Sequence, residues 1–271
     1  MGKEKSEFSC IENLLSNKGG KYMSKKLKKI RCANRLIDFT ESPDFAFENE
    51  DEIFGIEHFI VDLLYKDNCG VLRSGSRLSE EALWDIYGRN HKELEEGQFD
   101  AKKAGKEIEG TVQKIIDLVA SFDYKQYISE FERIVNKHGR KIEQYYSNLK
   151  HKDKTKLFFL IEERVPQIER YSSIINCVAY RRDGARVMYP IYCPIITEDM
   201  LKVIKQYIGC IEGIIIQVYK ISDLMNHMTS MIYLDVTDEA NLYKSLREQK
   251  VDVFNGFEIN APGFQFTLEI E

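Results

Sequence analysis

The run "IFGIEHFIVDLL", residues 53–64, constrains the fold more than any other stretch. Phe54, Ile56 and Ile60 alternate with Gly55, Phe59 and Val61, so both faces of the segment are apolar. A strand of that kind is covered on both sides, which points to a parallel or mixed sheet between layers of helices. Glu57 lies in the middle of it. A carboxylate on a covered strand is costly without a proton, a partner or a cation.

The preceding "DFAFENEDE" supplies a short strand and an acidic turn. If Asn49–Glu52 form a four-residue loop, Glu48 pairs with Ile53, Phe47 with Phe54 and Ala46 with Gly55. The same counting sets Asp44 opposite Glu57, with Cβ atoms about 4.5–5.5 Å apart on one face. A one-residue slip would undo the pairing. Two opposed carboxylates are relieved by a shared proton or by a divalent cation, and Mg²⁺ (or Mn²⁺) suits one or two carboxylates plus water. The alternative is structural: Asp44 caps the turn after Pro43, and Glu57 reaches solvent at a sheet end.

Around this hairpin the chain divides by texture. Residues 1–38 read as helical and basic, with Leu27, Ile30, Ala33, Arg35, Leu36 and Ile37 on one face, interrupted by "NKGGKY". Residues 79–150 carry three helical segments. The last of them sets Tyr127, Phe131, Ile134, His138, Ile142, Tyr145 and Leu149 on a single stripe of one long helix. From residue 156 the α/β texture returns. "KLFFLIEE" and "GIIIQVYKI" read as buried strands, "RRDGAR" as a hairpin turn, "TEDMLKVIKQYIGCIEG" as a helix capped by Thr197, and "DEANLYKSLREQK" as a helix. "VDVFNGFEI" reads as a last hairpin around Asn255-Gly256. The expected organisation is an α/β core from 1–69 and 156–271, with a helical insertion or lobe at 70–155.

A formal charge of −5 on 271 residues argues against a globally basic nucleic-acid binder but leaves room for local patches. "KGGKYMSKKLKKIR" is one such patch, with Lys25, Lys26, Lys28, Lys29 and Arg31 and no acid; it suits a phosphate backbone or a solvated helix face. Lys137, Arg140, Lys141, Lys150, Lys152, Lys154 and Lys156 form a second, with Tyr145 and Tyr146 interleaved as candidate stacking platforms. The six cysteines have no CxxC spacing, so reduced and mostly buried thiols are expected and a zinc site is not. There is no secretory or membrane-spanning run, and a cytoplasmic location is expected. "MGKEKS" fits the loose myristoylation pattern through Gly2 and Ser6, or is simply a charged start.

The string "SPDF…GIEHFIVD" resembles the core of the PD-(D/E)XK nuclease superfamily, whose fold is restriction-endonuclease-like. Pro43-Asp44 matches its "PD" and Glu57 the acid of its "(D/E)XK". The resemblance covers about 20 residues closely, and the rest as an order of elements. It implies a mixed-sheet core with a helical insertion and Mg²⁺ held by Asp44 and Glu57. Glu12 is a third acid from the preceding helix. The implied activity is metal-assisted hydrolysis of nucleic acid. Phe59 stands where the family has its lysine. Either a lysine from another element, Lys26 or Lys29, replaces it, or the site is inactive and the helices of 79–150 serve a protein partner. His58 falls on the opposite face by strand alternation and reads as a core residue, or as a ligand through its carbonyl.

Overall fold

The computed structural model describes residues 3–16, 21–35, 43–62, 64–66, 72–74, 86, 88–120, 122–149, 152–164, 176–189, 193–218 and 230–260. The protein is a mixed α/β structure. Its main sheet has six strands in the order β1 (Asn34–Arg35), β2 (Phe45–Glu48), β3 (Ile53–Asp62), β6 (Thr155–Arg164), β10 (Gly213–Val218) and β11 (Ser230–Asp235). The pairings β1–β2, β2–β3 and β10–β11 are antiparallel, and β3–β6 and β6–β10 are parallel.

The central strands are covered on both faces, as their apolar composition requires. On one face, helices α1 (Lys3–Ser16) and α2 (Lys21–Arg31) bury Cys10, Ile11, Leu14, Met23, Leu27 and Ile30 against Phe54, Ile56, Phe158 and Leu160. On the other face, Phe59, Val61, Phe159, Ile161, Ile214 and Ile216 meet a larger cluster. After α3 (Ala101–Ala120) the helices of that face are α4 (Tyr124–Gly139), α5 (Ile142–Asn148), α6 (Glu198–Lys205) and α7 (Glu239–Glu248). The crossover from β3 to β6 runs through the helical stretch, and its α4 and α5 supply Tyr127, Phe131, Val135 and Tyr145 to the core.

Local chemistry fixes the helix starts. Asp123 accepts the Lys125 N–H at 2.8 Å at the head of α4, Thr197 caps α6 through the Met200 N–H at 3.3 Å, and Asp238 caps α7 through the Asn241 N–H at 2.7 Å. The turn of the β2–β3 hairpin is held by Asn49, whose Oδ1 accepts the N–H groups of Asp51 and Glu52 at 3.0 and 2.8 Å.

A second sheet, in the order β13 (Gly256–Asn260), β7 (Asn176–Tyr180), β8 (Arg186–Tyr189), packs on the larger cluster through Cys177, Ala179, Phe257 and Ile259. The hairpin expected at "RRDGAR" joins β7 to β8, with Gly184 at φ 83°. Two short pairs remain: β4 (Leu64–Lys66) with β5 (Leu72–Ser74), and β9 (Ile196–Thr197) with β12 (Val253–Phe254).

Three local expectations differ from the structure. α2 ends at Arg31 and Asn34–Arg35 pair with Glu48 and Phe47, so the helical run does not continue through Arg35; the edge of β2 offers hydrogen bonds that the apolar spacing does not reveal. Leu36 and Ile37 lie outside the described residues. The long helix of 124–150 is broken at Arg140–Lys141, next to Gly139, where a Cβ would come within 2.2 Å of the Tyr207 ring. Its apolar stripe nevertheless survives the break: Tyr127, Phe131, Ile134, Ile142, Tyr145 and Leu149 are all buried. "VDVFNGFEI" is not a hairpin. β12 pairs with β9 and β13 with β7, and the Asn255 N–H donates to the Tyr180 carbonyl at 2.7 Å between them. The one residue between β12 and β13 is too short to turn a chain back on itself.

Among the described residues no helix is long and apolar enough to cross a membrane. No disulfide joins the described cysteines; against the expectation of mostly buried thiols, Cys10 and Cys177 are buried, Cys193 is intermediate, and Cys32 and Cys210 are exposed.

Candidate functional site

The register of β2 and β3 is the one counted from the sequence: Phe45 opposite Ile56, Ala46 opposite Gly55, Phe47 opposite Phe54, Glu48 opposite Ile53. Asp44 precedes β2 directly. Its Oδ2 accepts the backbone N–H of His58 at 2.7 Å, which pins it beside Glu57.

Glu57 is 5% exposed. Its Oε1 accepts the Tyr145 hydroxyl at 2.8 Å and lies 2.8 Å from His138 Nδ1. Its Oε2 is buried and has no hydrogen-bond partner. One oxygen therefore carries both protein contacts, and the other is left bare. Burial, and then the charges of Glu57 and Asp44, push the Tyr145 hydroxyl far above its ordinary pKa, so it acts as a donor. Phe59, at the lysine position of the motif, lies flat on the His138 ring with centroids 4.3 Å apart and planes 12° apart. Phe59 also meets Phe159 edge-on at 5.4 Å.

His138 and Tyr145 come from α4 and α5, far along the chain. Sequence reasoning counted both as members of an apolar stripe and missed their contact with Glu57. The signal present was a histidine and a tyrosine seven residues apart on a stripe otherwise made of hydrophobic residues.

The remaining candidates lie elsewhere. Glu12 is exposed on α1, which packs on the opposite face of the sheet from Glu57, so the structure does not bring it to the acid pair. Lys26 donates to Asp235 at 2.5 Å, Lys29 to Glu52 at 2.7 Å, and Arg31 to the Leu14 carbonyl at 3.0 Å. Neither Lys26 nor Lys29 replaces the motif lysine. Lys25 and Lys28 are exposed on α2. The tyrosines expected as stacking platforms are engaged internally: Tyr145 is 0% exposed, and the Tyr146 hydroxyl donates to the Cys210 carbonyl at 3.0 Å. Lys137, Arg140 and Lys141 are exposed and flank His138 in the chain, Lys154 is exposed, and Lys156 pairs with Glu52 and Glu212. Lys150 lies outside the described residues.

The opposite face of β3 carries a second cluster. His58 points there, as strand alternation requires, and its Nε2 lies 3.0 Å from Glu162 Oε2. The Cys10 thiol donates to the same oxygen at 2.9 Å.

No family model, curated protein or solved structure matches this chain.

The donor type at Asp44 and Glu57 is the one that hard divalent cations take. Both donors are carboxylates, and the bare, buried Oε2 of Glu57 is the kind of oxygen that a cation or a proton satisfies.

Proposed function

We propose that the protein is a metal-dependent phosphodiester hydrolase of the PD-(D/E)XK kind, acting on nucleic acid, in which His138 takes the place of the missing lysine. The observation that carries this reading is the divided carboxylate of Glu57: Oε1 is bound by His138 and Tyr145, Oε2 is buried without a hydrogen-bond partner, and Asp44 is held at the next residue through the His58 N–H. The order of elements supports a restriction-endonuclease-like core: helices, then the antiparallel β1–β2–β3, crossover helices, and β6 parallel to β3.

Asp44 and Glu57 would hold Mg²⁺ or Mn²⁺, which when bound supplies water activation and neutralises charge on the phosphate. The protein's own groups do the rest. Glu57 accepts a hydrogen bond from His138 Nδ1, which fixes the tautomer and leaves Nε2 to take a proton from water. Tyr145 donates to the same oxygen and keeps it oriented. Phe59 holds the imidazole plane by stacking. Lys137, Arg140 and Lys141 flank His138 and meet phosphates, with Lys25 and Lys28 as more distant contacts.

The test is cleavage of DNA and RNA with Mg²⁺ or Mn²⁺ by the wild type and by Asp44→Ala, Glu57→Gln and His138→Gln. The acid variants should abolish cleavage and the histidine variant should slow it by about 100-fold or more, with the fold intact. Cleavage that survives both acid changes would sink the assignment.

A second reading is favoured by the burial of Glu57 and by the exposure of Leu94 (61%) and Phe99 (42%) in the helical stretch. In it the core is an inactive scaffold and the helices of 79–150 dock a protein partner. It predicts that neither Mg²⁺ nor Mn²⁺ raises the melting temperature.

A further inference from the structure

The cluster behind β3 has the composition of a transition-metal site. Cys10 on α1, His58 on β3 and Glu162 on β6 present a sulfur, an imidazole nitrogen and a carboxylate oxygen that all lie within 4.8 Å of one another. All three residues are buried, Glu162 at 0% exposure. Gln217 follows on β10, in register with Glu162, and its amide nitrogen lies 3.7 Å from the Cys10 sulfur. Its Oε1 is buried without a hydrogen-bond partner, as is the amide nitrogen of Asn13 one turn along α1 from Cys10.

A thiol, an imidazole and a carboxylate packed together in a hydrophobic layer are expensive to desolvate. The unsatisfied Gln217 oxygen adds to that cost. Sulfur, nitrogen and oxygen donors at this spacing match a borderline-soft divalent ion rather than Mg²⁺. Around a tetrahedral zinc, neighbouring ligand atoms stand about 3–4 Å apart. The observed 2.9 and 3.0 Å separations need only a small outward movement.

We propose that Cys10, His58 and Glu162 bind one zinc-class divalent ion, with the Gln217 amide beside Cys10 turning its oxygen inward as fourth donor. The ion ties α1 to three adjacent strands. Binding displaces the thiol proton, so a proton leaves as the metal enters. The site shares β3 with the acid pair but uses the other face, and the backbone N–H of His58 is the group held by Asp44. The soft ion therefore braces the strand from behind. This assignment does not depend on the hydrolase reading.

The experiment is Co²⁺ titration of chelator-stripped full-length protein, followed by absorption, alongside metal analysis of protein purified without chelator. The expected result is one equivalent of zinc, and a near-ultraviolet cysteinate-to-cobalt charge-transfer band that Glu57→Gln retains and Cys10→Ser loses. Zinc should also raise the melting temperature of the stripped wild type. If Cys10→Ser does not fold, the wild-type titration decides alone. Folded wild type that gives no thiolate band overturns the proposal, as does a band that persists in Cys10→Ser. Cobalt bound without the band would belong to the carboxylates, and also overturns it.

Discussion

The ring of Phe59 lies face to face with the imidazole of His138, one residue from β3 and the other from α4, at a centroid separation of 4.3 Å. The position at which the resemblance expects a lysine thus carries a ring stacked on a histidine. Phe59→Ala should cost about 3–5 kcal/mol of stability, because it removes a buried aromatic and leaves a cavity. Urea denaturation measures that loss. Phe59→Leu should keep more of the stability but still release the ring, lowering any cleavage rate more than it lowers the denaturation midpoint.

Tyr145 and Glu57 meet through a 2.8 Å hydrogen bond in the core. Tyr145→Phe leaves the packing nearly unchanged and removes one donor from a buried carboxylate. The expected cost is about 1–3 kcal/mol. Glu57→Gln should make the loss of that hydroxyl less damaging, since a neutral amide needs its donors less than a carboxylate does. A double-mutant cycle over the two positions measures the coupling, and strict additivity would show that they do not interact.

The pair Lys26–Asp235 ties α2 to the last strand of the sheet at 2.5 Å. Burial pushes Asp235 up, but the hydrogen bonds from Lys26 and Thr237 outweigh it, and the carboxyl is held below its ordinary value of 3.8. A carboxyl so depressed takes up its proton less readily in the folded chain than in the unfolded one. Its stabilising contribution is therefore complete above about pH 4 and is lost as the pH falls through the depressed value. Melting temperatures of wild type and Asp235→Asn should converge as the pH drops below that range. A gap that stays constant down to the lowest pH would show that the charge of Asp235 does not stabilise the fold.

Gly55 sits where β3 passes under α5. A Cβ there would stand 2.6 Å from Leu149 Cδ1 and 3.0 Å from Pro43 Cγ. Gly55→Ala should therefore destabilise by about 1–3 kcal/mol, as overpacking does. Because Pro43 adjoins Asp44, it should also weaken the Mg²⁺ binding proposed for the acid pair. Calorimetric titration beside a thermal melt separates the two effects. Unchanged stability would mean that the Leu149 side chain yields freely.

Much of this architecture was legible in the residues alone. The double-sided apolar run of 53–62 fixed a covered strand, and the loop length of Asn49–Glu52 fixed the β2–β3 register, because side-chain period and turn geometry leave one consistent pairing. The stripe from Tyr127 to Leu149 marked the face of α4 and α5 that enters the core. Capping by Thr197 marked the start of α6. These are local regularities, written over a few neighbouring residues.

Local pattern could not say what faces Glu57. His138 and Tyr145 are 81 and 88 residues away, and their spacing along an apolar stripe does not say which strand they face. Cys10, His58 and Glu162 are likewise separated by 104 and 152 residues along their contacts, so no ligand spacing was there to read. The separate partners of β12 and β13 were hidden for the same reason. The sequence determined which segments are strands and helices and which of their faces are apolar, since those depend on periodicity. Only the packing of helices from opposite ends of the chain onto the two faces of β3 decided which polar groups share a buried space. A buried charge is satisfied by whatever the fold brings within about 3 Å, however far along the chain that group lies.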